Sequence, residues 1–410
     1  MDWLYEHRTG QERLTAALPL RLLFVTTSAG VGGIEVCSAR LACHLQARGH
    51  QVTQVCRADG MVEALCHSLG VPTHRLSVRN SADLAAAGSM ARIIVARSVD
   101  IVHVHSRRDF VSAVAAVALA RQLGCCPRLV LHAHLAKPLG TPHRLSGFLF
   151  ARGADGVIAV SDAVKSLLLA VHGLAQSFVH RIYNGVEWRT YAALPGTHAR
   201  IRSRWGVPED ALVIGMVGRL DAKGQADLLP IIPGLLERFP SLHVVLVGPD
   251  EAGESRASLE RQAHALGIGA RVVCTGPSSD IPEAMSAFDI LAHLPADEAF
   301  GMVLIEAMAA GLPVVATRVG GCPEIVKERD TGYLVRPGDK FGLAEALSGL
   351  LGSREARKRL GDAGQRVVQE TFSLEGQLDQ IERLYREMLD VPVKAGGSLP
   401  APESASTRAS

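Results

Sequence analysis

Short apolar runs rich in Val, Ile and Leu recur along this sequence, each followed by a segment of helix length. That alternation narrows the fold more than any single motif. The runs Leu22–Thr26, Val52–Cys56, Ile101–His105, Leu129–His134 and Val157–Val160 are largely apolar rather than strictly alternating with polar residues. Such a run predicts a strand covered on both faces, and the intervening helices supply the cover, so the first half predicts a parallel sheet between helical layers. Segments 35–48, 83–97 and 109–123 predict those helices. In the first, Cys37, Leu41 and Leu45 repeat every four residues to make one buried face, and Gly49 ends it.

The rhythm weakens around 188–210 and then restarts. Leu212–Val217, His243–Val247, Val272–Cys274, Ile290–His293 and Val314–Thr317 predict further strands, with a helix near 225–238. With 410 residues the chain exceeds what one core usually serves. The predicted class is α/β: two tandem Rossmann-like, doubly wound domains facing a central cleft. The expected divisions are an N-terminal domain at 20–188, a linker at 189–210 and a second domain at 211–375. A helix at 376–390 is expected to pack back toward the first domain, and 391–410, rich in Ser, Ala, Pro and Gly, to be a disordered tail. In open parallel sheets ligands sit beyond the carboxyl ends of the strands, so the loops there are the place to look for chemistry.

Composition supports a folded globular chain and excludes several classes. Hydrophobic residues are 48% and charged residues 20%, which rules out a disordered chain, and aromatics at 4% suit helices packed on parallel strands. The net charge of +2 hides an asymmetry: residues 1–195 hold 20 Lys/Arg against 12 Asp/Glu, the remainder 23 against 29. Without Lys-rich runs or interleaved aromatics, the positive half points to an anionic acceptor or lipid headgroup rather than to nucleic acid. The eight cysteines show no CxxC pair, as in reduced cytoplasmic proteins. Acids near the N-terminus do not suit a signal peptide, and no apolar run reaches the ~18 residues of a membrane span. Membrane contact is therefore expected to be peripheral, at the inner face.

Three loops carry the candidate chemistry. Gly30-Val-Gly-Gly-Ile-Glu35 follows the first strand; its glycines let a phosphate or sugar approach a helix start, or simply make a tight turn, and it is a poor dinucleotide fingerprint. Gly218-Arg-Leu-Asp-Ala-Lys-Gly224 follows an apolar strand and sets Arg219 and Lys223 where a diphosphate would sit, though such residues are also often just solvated. The third is Asp297-Glu-Ala-Phe-Gly-Met-Val-Leu-Ile-Glu306. Here the N–H groups of Gly301, Met302 and Val303 open a helix toward an anion, and Glu306 lies about 7–8 Å further along its axis. Glu298 and Glu306 would then flank a diphosphate. An ion pair with an Arg is the plainer account of Glu306.

Taken in order, Gly32-Gly33-Ile34-Glu35, Val160-Ser-Asp162, Tyr183-Asn-Gly-Val186, Gly218-Arg219…Lys223-Gly224, Glu298-x7-Glu306 and Gly320-Gly-Cys-Pro-Glu324 resemble the family 4 glycosyltransferases over roughly residues 20–390. These are retaining nucleotide-sugar enzymes of the two-Rossmann GT-B fold. The resemblance implies that Arg219 and Lys223 neutralise the donor diphosphate, that Glu306 binds the ribose and that Glu298 grips the transferred sugar with help from Phe300, Gly301, Met302 and Val303. It implies that Gly32 and Gly33 let the first loop close over the phosphates. It also implies a histidine near the anomeric carbon, for which His134 is the better match and His132 the second.

His132/His134 and His103/His105 share a spacing that places each pair on one strand face, an arrangement that metal sites also use. No metal and no cofactor are expected, because no Asp-x-Asp pair occurs and the fold does not need one. Two departures sit beside the site. The Arg219–Lys223 spacing is one residue shorter than the family pattern, and Ala299 follows Glu298 where Gly is commoner, in a segment Pro295–Glu298 that is itself shortened and lacks the frequent Ser. The expected activity is transfer of a sugar from a nucleotide-diphosphate donor to a glycan or lipid-linked acceptor, in polysaccharide or lipopolysaccharide synthesis. A nucleotide-sugar epimerase or phosphorylase, a non-catalytic nucleotide-sugar-binding partner and a nicotinamide-dependent dehydrogenase are the competing readings.

Overall fold

The structure, a computed structural model, describes residues 18–28, 32–80, 82–134, 147, 150–191, 196–250, 253–278 and 280–391. Gly30 and Val31 of the first glycine loop, and residues 392–410 of the expected tail, lie outside the described residues. The described residues fall into two compact units, one drawn from Met1–Val104 and Arg108–Leu129, the other from His105–Arg107 and Val130–Ser410. They form two parallel sheets, of seven and six strands.

In the first unit Arg21–Thr26 (β1), Gln51–Cys56 (β2), Thr73–Arg75 (β3) and Ile101–Val104 (β4) run in the order β3-β2-β1-β4, all parallel. Every residue of β1 after Arg21 is buried, as expected of a strand packed on both faces. The helices Gly33–Ala47, Leu84–Ala96 and Phe110–Gln122 fall within two residues of their predicted bounds. Asp83 starts the second of them by accepting the Ala86 N–H at 3.1 Å.

The second unit contains most of Arg128–Ala133 (β5), then Gly156–Ala159 (β6) and Val179–Arg181 (β7). It also contains the whole second sheet: Val213–Val217 (β8), His243–Val247 (β9), Val272–Gly276 (β10), Ile290–His293 (β11), Val314–Thr317 (β12) and Gly332–Val335 (β13). Their order, β10-β9-β8-β11-β12-β13, is the Rossmann order, and it reverses between β8 and β11. Loops after those two strands therefore leave the sheet side by side on opposite turns of the chain. Ile214, Leu246, Ile290 and Val315 pack with Leu228, Ile232, Leu347 and Leu360 into the core that fixes the sheet.

Three strands went unpredicted: β3, β7 and β13. Each is three or four residues long, and Thr73-His-Arg75 and Val179-His-Arg181 are too polar to read as apolar runs. The single helix expected at 225–238 is three pieces, Gln225–Leu228, Leu229–Ile231 and Ile232–Arg238, because Pro230 and Pro233 each remove a backbone donor. Thr197–Arg204, within the stretch read as a linker, is helical. The final helix, Leu374–Asp390, packs on the Asn184–Val186 segment: the Gly185 N–H donates to Gln377 Oε1 at 2.8 Å, and a Cβ on Gly185 would lie 2.6 Å from Leu374 Cα. Among the described residues no helix is long and apolar enough to cross a membrane.

Candidate active site

The loops at the reversal of the second sheet meet on one carboxylate. Lys223 Nζ lies 2.8 Å from Glu298 Oε2, and His293 Nε2, at the carboxyl end of β11, lies 3.0 Å from the same oxygen. Two backbone details bring these groups together. The Leu294 N–H donates to Lys223 O at 3.1 Å. Gly224 sits at φ +77°, where a Cβ would meet Leu294 O at 2.1 Å, so the close crossing of the two loops requires glycine. The short Arg219–Lys223 spacing is thus compatible with Lys223 reaching Glu298.

Burial opposes charge on Glu298, whose side chain is 14% exposed, but the His293 hydrogen bond and the Lys223 ammonium outweigh it and take its pKa down to about 2. Burial also lowers the pKa of His293, with Glu298 pulling the other way, so the imidazole stays neutral and donates its Nε2 proton. The result is an ionised carboxylate joined to one ammonium and one neutral ring. Such a group is fixed in place and able to accept hydrogen bonds from hydroxyl groups.

Gln225, only 1% exposed, stitches the basic loop internally: its Nε2 donates to Arg219 O at 2.9 Å and its Oε1 accepts the Lys223 N–H at 3.1 Å. The Arg219 guanidinium is about half exposed and lies 3.7 Å from Asp221. Gln225 and His293 are functional-site neighbours that the sequence reading missed. The strand-end position of His293, five residues before Glu298 on the sheet's carboxyl edge, was the available signal for it.

Beyond Glu298 the chain enters the helix Met302–Ala309 through Gly301 at φ +107°. The first N–H groups of a helix have no intrahelical acceptor, so those of Met302 and Val303 are placed to meet an anion. Glu306 is half-buried on the fifth residue of that helix. Phe300 does not face solvent: it is 2% exposed, with its ring centroid 5.8 Å from that of Tyr183 and 5.9 Å from that of Phe372.

The other motifs surround this loop from behind. A Cβ on Gly320, itself at φ +47°, would fall 1.7 Å from Glu298 O, and the Gly321 N–H donates to that oxygen at 3.0 Å. Ser161 Oγ donates to Ala299 O at 2.6 Å. Glu324 accepts the N–H groups of Asp162 and Ala163 at 2.7 and 2.9 Å, at the start of the helix Asp162–His172. Ser161, Tyr183, Gly320 and Gly321, which the sequence shows as scattered signatures, therefore pack against residues 298–300, and Glu324 holds the start of the helix that follows Ser161.

Histidines crowd the end of β5 in the same unit. His132 and His134 stack with centroids 4.1 Å apart and planes at 25°, as their shared strand face predicts. His105 Nδ1 lies 3.0 Å from His134 Nε2. His132 is fully buried, whereas His134, just past the strand end, is half-buried and the more accessible of the two. Burial takes the His134 pKa down to about 3, and burial with the neighbouring His134 and His105 lowers His132 as well, so both are neutral.

In the first unit, Gly32 precedes the helix Gly33–Ala47. A Cβ at Gly33 would meet nothing within 4 Å among the described residues, so none of those neighbours demands glycine there. Ser28 Oγ donates to Glu35 Oε1, tying the strand end to that helix start.

Comparison with known proteins finds relatives across most of the chain. Residues 198–367 match the family described as Glycosyl transferases group 1, and residues 31–188 match Glycosyltransferase Family 4. N-acetyl-alpha-D-glucosaminyl L-malate synthase of Bacillus anthracis is 27% identical over 378 residues, 89% of this chain and 96% of that protein. D-inositol 3-phosphate glycosyltransferase of Corynebacterium urealyticum is 37% identical over 209 residues, 48% of this chain and 49% of that one. Among solved structures, Anabaena Alr3699/HepE in complex with UDP and glucose has a TM-score of 0.80 at 26% identity, over 90% of this chain and 100% of that one. A glycosyltransferase from Rickettsia africae has a TM-score of 0.82 at 22% identity, over 91% and 99% of the two chains, and supports the fold. The chain belongs to the family 4 glycosyltransferases and has their GT-B fold of two parallel-sheet, Rossmann-like α/β domains.

Proposed function

We propose that this glycosyltransferase moves a hexosyl group from a uridine-diphosphate sugar to a hydroxyl of a small anionic acceptor, with retention at the anomeric carbon and with protein cations in place of a metal ion. The observation that carries the proposal is the meeting of Lys223, His293 and Glu298 beside a helix start at the reversal of a Rossmann sheet. HepE is described with UDP, with UDP and glucose, and with UDP-glucose. The two named relatives are named for L-malate and for inositol 3-phosphate, both anions. An anionic acceptor also suits the excess of 20 Lys/Arg over 12 Asp/Glu in residues 1–195. The glycan or lipid-linked acceptor at a membrane face draws on the same excess and is the second reading.

In the proposed reaction the bond between the anomeric carbon and the diphosphate oxygen breaks while the acceptor oxygen attacks from the same face. The acceptor proton passes to the departing phosphate. Negative charge grows on that phosphate, so Arg219, Lys223 and the N–H groups opening Met302–Ala309 stabilise the transition state more than the bound donor. Glu298 accepts from hydroxyls of the transferred sugar, Glu306 from those of the ribose, and His134 lies against the sugar.

The test is transfer by the purified protein. UDP-, GDP- and ADP-sugars are paired with L-malate, inositol 3-phosphate and a lipid-linked oligosaccharide, products are identified by mass spectrometry, and the anomeric configuration is read by NMR. An α-linked product from an α-linked UDP-sugar and a small anion is expected; an inverted product, or transfer only to the lipid, overturns the corresponding part. Calorimetry with UDP on Glu306→Ala should show binding weakened by about tenfold or more, the loss of a charge-assisted hydrogen bond. Unchanged UDP affinity would remove Glu306 from the ribose.

A further inference from the structure

His105 and His134 come from different parts of the second unit, yet their ring nitrogens stand at hydrogen-bonding distance, Nδ1 to Nε2 at 3.0 Å. The rings are nearly coplanar in orientation, 21° apart, with centroids separated by 5.3 Å. His105 is 1% exposed, and His132 lies against both rings, 4.9 Å from His105 and 4.1 Å from His134. The three rings brace one another.

A contact between two imidazole nitrogens has one stable composition when both rings are neutral: a single proton lies between them. With no proton two lone pairs face each other, and with two protons two N–H groups collide. The tautomers are therefore locked together. If the proton belongs to His105 Nδ1, His134 carries its own on Nδ1; if it belongs to His134 Nε2, His134 Nδ1 is bare. In either case Nε2 of His134 is occupied, and Nδ1 is the nitrogen left for a ligand.

The position of His134 gives this consequence. Ala133 O, in the preceding residue, accepts the Val160 N–H at 3.4 Å, and Ser161, next in the chain, donates its Oγ to Ala299 O. One short path of backbone thus joins the histidine to the loop that carries Glu298. We propose that His105 is a positioning residue for His134: by holding Nε2 it ties the tautomer of His134 to its own, fixes the orientation of the ring and presents Nδ1 to the donor sugar, resting for the last step on the reading of His134 given above. His105 touches no substrate; it sets what His134 offers.

Selective 15N-histidine labelling tests the pairing without any substrate. Wild-type His134 Nε2 should be shifted by its hydrogen bond to His105 and show a coupling across that bond. In His105→Phe both the shift and the coupling should be lost. A wild-type Nε2 signal with neither would overturn the proposal. The kinetic arm uses UDP-N-acetylglucosamine with L-malate, and UDP for binding. His105→Phe should lower kcat about tenfold to a hundredfold, the usual cost of losing such an orienting partner, with UDP affinity unchanged. His105→Asn, whose amide keeps a polar group near the position of Nδ1, should recover most of the loss, and it serves as the test protein if the Phe variant fails to fold. Wild-type kcat in His105→Phe would sink the positioning role. Unchanged transfer in His134→Ala would instead sink the assignment of His134 to the sugar, and the NMR result would still decide the pairing.

Discussion

Removing Lys223 tests how the Glu298 charge is sustained. The carboxyl falls from 4.5 to about 2 in the folded protein. At about 1.4 kcal/mol for each tenfold change in proton affinity, that drop corresponds to about 3 kcal/mol of stability. Burial opposes it, while His293 and Lys223 share the favourable part. Lys223 is 27% exposed, so water screens its share, and Lys223→Met should cost about 1–2 kcal/mol at pH 7. The sign follows from the direction of the shift. A carboxyl with a depressed folded pKa contributes fully above its unfolded value near 4.5 and loses that contribution as pH falls toward 2. The gap between wild type and Lys223→Met should therefore be largest above about pH 5 and narrow on acidification. Urea unfolding at pH 7 and pH 3.5 measures it. Adding Glu298→Gln to the variant removes the stranded charge and should recover part of the loss, although transfer stays low. A gap below about 0.5 kcal/mol at pH 7, or one that does not change with pH, would refute the reasoning.

Two further substitutions probe the supports of the site. Gly320→Ala must place a Cβ 1.7 Å from Glu298 O at positive φ, so the Glu298 loop has to move; about 1–3 kcal/mol of strain and a larger fractional loss of transfer are expected from melting curves and initial rates. Arg202 is 2% exposed, donates to the carbonyls of Ala287, Glu209 and Ala211, and pairs with Asp289 at 2.9 Å. Arg202→Leu strands all four partners and should cost about 3–5 kcal/mol in urea unfolding, whereas a cost under 1 kcal/mol would mean that the helix Thr197–Arg204 is held by something else.

The strands that cross each sheet's interior were legible because burial on both faces forces a dense apolar run; β9, β11 and β12 match their predicted bounds. Edge strands need only one neighbour and few apolar residues, so Thr73-His-Arg75 left no such trace. Helix Thr197–Arg204 was hidden for a different reason: its anchor is Arg202, a charged residue whose burial depends in part on the Ala287 carbonyl and the Asp289 carboxylate far along the chain. At the site, the spacing of Glu298 and Glu306 was readable because a helix turns it into geometry. The Lys223–Glu298–His293 meeting was not, since it depends on β8 and β11 being neighbours, and strand order is a property of the sheet. The same holds for His105 and His134, which two separate His-x-His pairs suggested only as pairs within a strand.

Among the described residues, both contacts to Glu298 converge on Oε2. One carboxylate is thereby split into two jobs: an inward oxygen anchored in the protein, and an outward one, Oε1, still able to take a hydroxyl proton bond without giving up the anchor. Shortening the side chain by a single methylene, as aspartate would, leaves it able to reach one side or the other but not both.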